Sequence, residues 1–172
     1  SVIEDLKFVP GQGEKNDIRA AKTEQLITHT EELAISQVKK LLKKHRGTYL
    51  EPELWFRLAE LYMRRAKSAM FFEVNRESDK IVSLMPKALK KKSSKDLVQK
   101  AISIYAKLQS RFPRFANMDM VIFNQALASQ QISWNKKAEA LYWKLITKFK
   151  ASALVPDAHL AIGEINFKRQ NF

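Results

Sequence analysis

Three gapless stretches of this chain carry one pattern, and that pattern restricts the fold more than any other feature. They are Ala34, Val38, Leu41, His45; Ala101, Tyr105, Leu108, Phe112; and Ala138, Tyr142, Leu145, Phe149. Each reads small, large, Leu, ring at offsets 0, +4, +7 and +11, which places all four positions on one helix face. A second anchor follows each Ala by 21 positions: Trp55, Ile122 and His159. Small residues stand close behind, at Ala59, Ala126 and Gly163, and they predict close helix crossings. Pro52, Asp119 and Pro156 hold equivalent sites, and both residue types suit a first helical turn. The last two units are 37 residues apart and the first precedes the second by 67. A 37-residue unit therefore recurs, with about 30 extra residues between Tyr62 and Ala101.

Composition agrees with helices. Only 4 Gly and 5 Pro occur in 172 residues, too few for an all-β chain that turns every ten positions or so. The pattern predicts a loosely ordered lead-in over 1–15 and a helix over 17–45. A second helix starts at Pro52 and runs past Tyr62 through Phe71-Phe72 toward Pro86. A basic loop covers 86–95, a helix 96–112 has Ser94 as N-cap, and shorter helices cover 118–131, 135–150 and 156–170.

Trp55, Leu58, Ala59 and Tyr62 at first-helix spacing resemble a tetratricopeptide repeat (TPR), as do Ala101, Tyr105, Leu108 and Phe112-Pro113 at second-helix spacing. The segments 58–62 and 156–164 are similar to those of Gram-negative envelope TPR proteins. These include the lipoprotein of the outer-membrane β-barrel assembly machine and the periplasmic partner of the Tol–Pal system. The resemblance covers residues 30 to 172. The departures are Gln125 and Ser129 in place of Leu and Tyr, Lys150 in place of Pro, and the 63–95 insertion. The resemblance implies an all-α fold: a right-handed αα-solenoid of helix pairs over 16–172 whose last unit is incomplete. It also implies a non-catalytic scaffold or adaptor for a protein or peptide partner in a cell-envelope assembly, periplasmic or outer-membrane-associated, with a cytoplasmic location as the alternative.

The net charge of +13 admits a rival reading, attraction to nucleic acid, an acidic partner or an anionic lipid surface. Ten basic and three acidic residues between Met63 and Lys95 concentrate +7 there, so Lys90, Lys91 and Lys92 are candidate contacts. Arg is scarce beside Lys and no nucleic-acid module is visible, which disfavours specific nucleic-acid binding. Chemistry finds no constellation. Cysteine is absent, His29, His45 and His159 are scattered, and no His pair stands at i, i+4 with a Glu. No catalytic residue, metal or cofactor is expected. Trp55, Arg57, Tyr62, Gln125, Ser129 and Asn166 are placed on first helices as groove-lining residues. Phe71 and Phe72 are either a partner surface or an insert-to-body contact. Residues 156–172 form a first helix whose second is missing. Some of Leu160, Ile165 and Phe167 should therefore be exposed, as in a fragment of a longer array or a self-associating end.

Overall fold

Gln12–Lys44 form α1, one unbroken helix of 33 residues, about 50 Å long, in the computed structural model of the protein, which describes residues 11–171. The expected lead-in is thus already helical from Gln12, and residues 1–10 lie outside the described ones. α1 is capped by His45, and in the turn just beyond it Gly47 takes φ +78°, a left-handed conformation that glycine adopts without a Cβ penalty.

α2 (Glu51–Val74) carries Pro52 in its first turn, where no backbone donor is missed. It stops well before Pro86, contrary to expectation. The side-chain Nδ2 of Asn75 donates to the Phe71 carbonyl at 2.8 Å, and its backbone N does so at 3.2 Å. Ser78 then caps the short α3 (Asp79–Ser83), its Oγ accepting from Ile81 N at 3.4 Å. A 3-10 turn at Lys87–Leu89 follows. Ile81 and Leu89 are buried, and α3 packs on α1. The basic segment is therefore pinned from within rather than loose. Glu73 closes the excursion by accepting from both N and Oγ of Ser94 at 2.6 Å. That clamp joins the end of α2 to the start of α4 (Ser94–Arg111). The N-cap is Ser93, not Ser94. Ser93 and Asp96 exchange reciprocal bonds of 3.1 Å, a capping box.

α5 (Met118–Gln131), α6 (Asn135–Lys148) and α7 (Val155–Gln170) lie within two residues of expectation. Among the described residues all regular structure is helical. Each long helix packs on the next, α1 on α2, α2 on α4, α4 on α5, α5 on α6 and α6 on α7. No described helix is long and apolar enough to cross a membrane.

The recurring anchors are buried where a helix has neighbours on both sides. Ala101, Tyr105 and Leu108 are at most 1 % exposed, and Ala138, Tyr142 and Leu145 are at 0 %. α1 differs. Its expected anchor Leu41 is exposed at 42 % and Leu42 is buried instead. The cause is continuity: α1 never doubles back, so its Leu26, Leu33 and Leu41 stripe meets no helix among the described residues. The other end behaves alike. Leu160 and Phe167 are exposed while Ile165 is buried. His159 and Gly163 are exposed too, and a Cβ at Gly163 would meet nothing within 4 Å. The expected crossing at Gly163 is therefore absent, because no described helix lies on that side of α7.

Candidate functional site

α1 and α4 stand on either side of α2 and leave a groove of about 450 Å³ between them. Glu51, Trp55, Leu58 and Tyr62 form its floor, at steps of four, three and four that keep them on one face of α2. Lys39, Leu42, Lys43 and Arg46 make the α1 wall. Lys100, Ser103, Ile104, Lys107 and Arg111 make the α4 wall.

The charge in this groove is one-sided. Glu51 is its only acid and is buried, with Arg111 4.0 Å away. Among the described residues, no acid stands within ion-pair distance of Lys39, Lys43, Arg46, Lys100 or Lys107. The cations lean on the aromatic floor instead. Lys107 Nζ lies 3.7 Å from the Trp55 ring centroid, and Lys100 and Lys39 lie 4.8 and 5.9 Å from that of Tyr62. Such stacking is attractive, but at about 0.5–2 kcal/mol it is weaker than a well-made buried ion pair. Burial alone would raise the Tyr62 phenol. The Lys39 hydrogen bond and the Lys100 and Lys39 charges outweigh it and hold the phenol below its usual range. Lys92, at the same end, is lowered from the usual lysine value, first through its contact with the Lys100 ammonium. Cations are therefore crowded here against their mutual repulsion. Trp55 Nε1 is buried without a hydrogen-bond partner.

The expected site residues do not form one surface. Trp55 and Tyr62 line this groove, and Lys92 adjoins it through Lys100. Arg57 points elsewhere, into a hollow with Met63, Asn124 and Leu127, and pairs with Glu60 at 3.4 Å. Two residues along a helix is about 200°, which explains the split. Phe72 is buried at 2 % exposure, in T-shaped contact with the half-buried Phe71, so Phe72 is part of the core and Phe71 packs against it. Gln125 and Ser129 are interior rather than groove-lining, at 4 and 0 % exposure. Gln125 Oε1 accepts from Gln109 Nε2, Ser129 Oγ donates to the Gln125 carbonyl at 2.8 Å, and these bonds make burial tolerable. Asn166 is half-buried on α7, and Lys90 and Lys91 are exposed outside the groove.

Reasoning along the sequence missed Lys39, Lys43, Arg46, Lys100, Lys107 and Arg111. Their signal is rotational: a step of four on α1, with Arg46 in the turn just past its end, and steps of seven and four on α4 place each set on one side. Among the described residues no three His, Asp or Glu side chains gather as metal ligands.

A second groove lies between α4 and α6 over α5. It is lined by Gln109, Pro113, Met118, Ile122, Lys144, Lys148 and Phe149 and measures only about 160 Å³. Offsets of 67 and 37 map six of these onto Leu42, Arg46, Glu51, Trp55, Lys107 and Arg111 of the first. Here the walls are tied together. Lys144 Nζ donates to Gln109 Oε1 at 2.7 Å, and Gln109 reaches on to Gln125. No family model, curated protein or solved structure matches this chain.

Proposed function

We propose that the protein is a non-catalytic TPR-type adaptor that holds an acidic segment of a protein partner in the groove between α1 and α4. The observation that carries this reading is the gathering of Lys39, Lys43, Arg46, Lys100 and Lys107 around an aromatic floor, with no acid within ion-pair distance of any of them among the described residues. Carboxylates entering there replace weak cation–ring contacts with charge-assisted bonds. Leu42, Leu58 and Ile104 give the middle of the groove an apolar strip for the backbone-flanking side chains of a peptide. The recurring 37-residue unit and the equivalent linings of the two grooves support the TPR assignment. Residence in a bacterial cell envelope follows from the resemblance of segments 58–62 and 156–164 and is tested by fractionating cells that express the protein.

The rival reading is an anionic surface or nucleic acid held by net charge. Exposed Lys90 and Lys91, outside the groove, favour it. One experiment separates the two. A fluorescein-labelled peptide containing Glu-Glu-Asp-Glu, a 20-nucleotide single strand and vesicles containing phosphatidylglycerol are titrated in parallel at 50 and 200 mM salt. The adaptor reading expects peptide binding that Lys39→Glu with Lys100→Glu weakens about a hundredfold. It fails if the strand or the vesicles bind and the peptide does not. A phosphate-backbone complex would also lose affinity steeply between those salt concentrations.

A further inference from the structure

The groove does not end at Arg111. That residue also borders a hollow of about 740 Å³ at the helix ends, lined mainly by Tyr49, Leu50, Pro52, Phe112 and Phe115, with Glu53 and Arg114 beside them. Its apolar character is specific to this unit. The equivalent hollow 67 and 37 residues on has Asp119 where this one has Pro52 and Ser152 where it has Phe115. There the Ser152 hydroxyl donates to Asp119 at 2.6 Å and ties the two sides of the hollow together. Groove and hollow thus differ from their counterparts in the same sense: both are untied in the first unit and bridged in the second. Arg111 joins the cationic stretch to the apolar one, its guanidinium 5.3 Å from the Phe112 ring centroid.

Resting on the adaptor reading, we infer that the partner segment is bipartite: an acidic run over Tyr62 and Lys100, and one bulky apolar side chain in the hollow beside Phe112 and Phe115. The spacing follows from α2. Pro52 and Tyr62 are ten positions apart on that helix, about 15 Å at the helical rise. An extended peptide covers that in four or five residues at about 3.3 Å each. A free acidic oligomer satisfies only half of the surface. A segment with a Phe, Leu or Trp four or five positions from its carboxylates satisfies both, and desolvated anchors of this kind dominate binding at interfaces.

Two labelled peptides test this. Both carry Glu-Glu-Asp-Glu followed by Ser-Gly-Ser-Gly; one ends in Phe, the other in Ser. The Phe peptide is expected to bind wild-type protein about tenfold more tightly, the scale of a buried anchor residue. Ala116→Gln, an exposed change on the hollow's lining, should erase the difference while leaving the affinity for the Ser peptide unchanged. Equal affinity of the two peptides for wild type overturns the inference and leaves the adaptor reading standing. A Phe advantage that survives Ala116→Gln also overturns it, because the anchor then lies elsewhere. Binding of neither peptide defeats the adaptor reading itself.

Discussion

The two grooves share a plan and differ in outcome. In the first, Lys107 has only a tryptophan ring to rest on. In the second, the equivalent Lys144 is bonded to Gln109, which in turn reaches Gln125. Two substitutions account for this: Leu42 and Leu58 stand where the second unit has the groove-lining Gln109 and the interior Gln125. The α1 wall adds Lys39, Lys43 and Arg46 where the α4 wall has Ala106, Ser110 and Pro113. A groove whose polar groups are satisfied internally has little to offer a ligand. One whose cations lack counter-charges retains that capacity. The same helix packing therefore yields a structural joint in one place and a candidate binding surface in the other.

The sharpest break of the comparison is in packing. Leu108 backs the α4 wall at 0 % exposure, whereas the equivalent Leu41 of α1 is open. Leu108→Ala should cost about 2–5 kcal/mol in denaturant unfolding, and Leu41→Ala less than about 0.5 kcal/mol. A comparable loss from both would mean that α1 is covered on its outer side.

Charge comes next. Lys39→Glu with Lys100→Glu should weaken acidic-peptide binding about a hundredfold, within the range for truncated or reversed charges at an interface. Lys137→Glu, the position equivalent to Lys100 one unit on, should change it by less than about twofold. Equal effects would mean that net charge, not the groove, attracts the peptide.

The polar bridge gives a smaller effect. Gln125→Leu copies the first floor and leaves Gln109 Nε2 without its acceptor, at a cost of about 1–3 kcal/mol. Adding Gln109→Leu should recover part of it, since that pair is then apolar and only the Lys144 bond is lost, and thermal melts of the three proteins decide the point.

A fourth test concerns a buried acid with a poor bridge. Glu31 is buried, both its oxygens lack hydrogen-bond partners, and Arg64 Nε stands 3.3 Å from one of them. Burial raises its carboxyl above the usual value, outweighing the Arg64 charge. The folded state therefore holds this proton more tightly than the unfolded chain does. The stability from that preference is present below the unfolded pKa of 4.5 and is lost as pH rises through the folded value. Glu31→Gln should accordingly raise the melting temperature at pH 7, and the gain should shrink on acidification. The smallest change is Gly163→Ala, which meets open space and should stabilise α7 by about 0.5–1 kcal/mol. A loss there would place a neighbour against that face.

Helix order and the anchors of α4 to α6 were legible because Ala, Tyr and Leu recur at offsets that one helix face must bury. The end of α2 was not, because a single Asn75 side chain and a Ser78 cap terminate it without Gly or Pro. The basic groove escaped notice for a different reason. Charge was counted along the chain, which points to 63–95, whereas Lys39, Lys43, Lys100 and Lys107 gather only around the helices. Their meeting requires α4 to return beside α2 after the excursion, and the Glu73–Ser94 clamp that brings it back has no local pattern. Gln125 and Ser129 stood out as odd core residues. That signal was real, but it marked the bridged groove rather than the open one.

The most direct test of the central claim is the Trp55 indole N–H, which is buried without a partner beneath Lys107. Its signal in a nitrogen-edited NMR spectrum, assigned by loss in Trp55→Phe, can be followed as the Glu-Glu-Asp-Glu peptide is added. The account predicts a saturable shift of the Trp55 signal while those of Trp134 and Trp143 stay in place. A bound peptide that leaves Trp55 unmoved, or moves Trp134 or Trp143 instead, would contradict it.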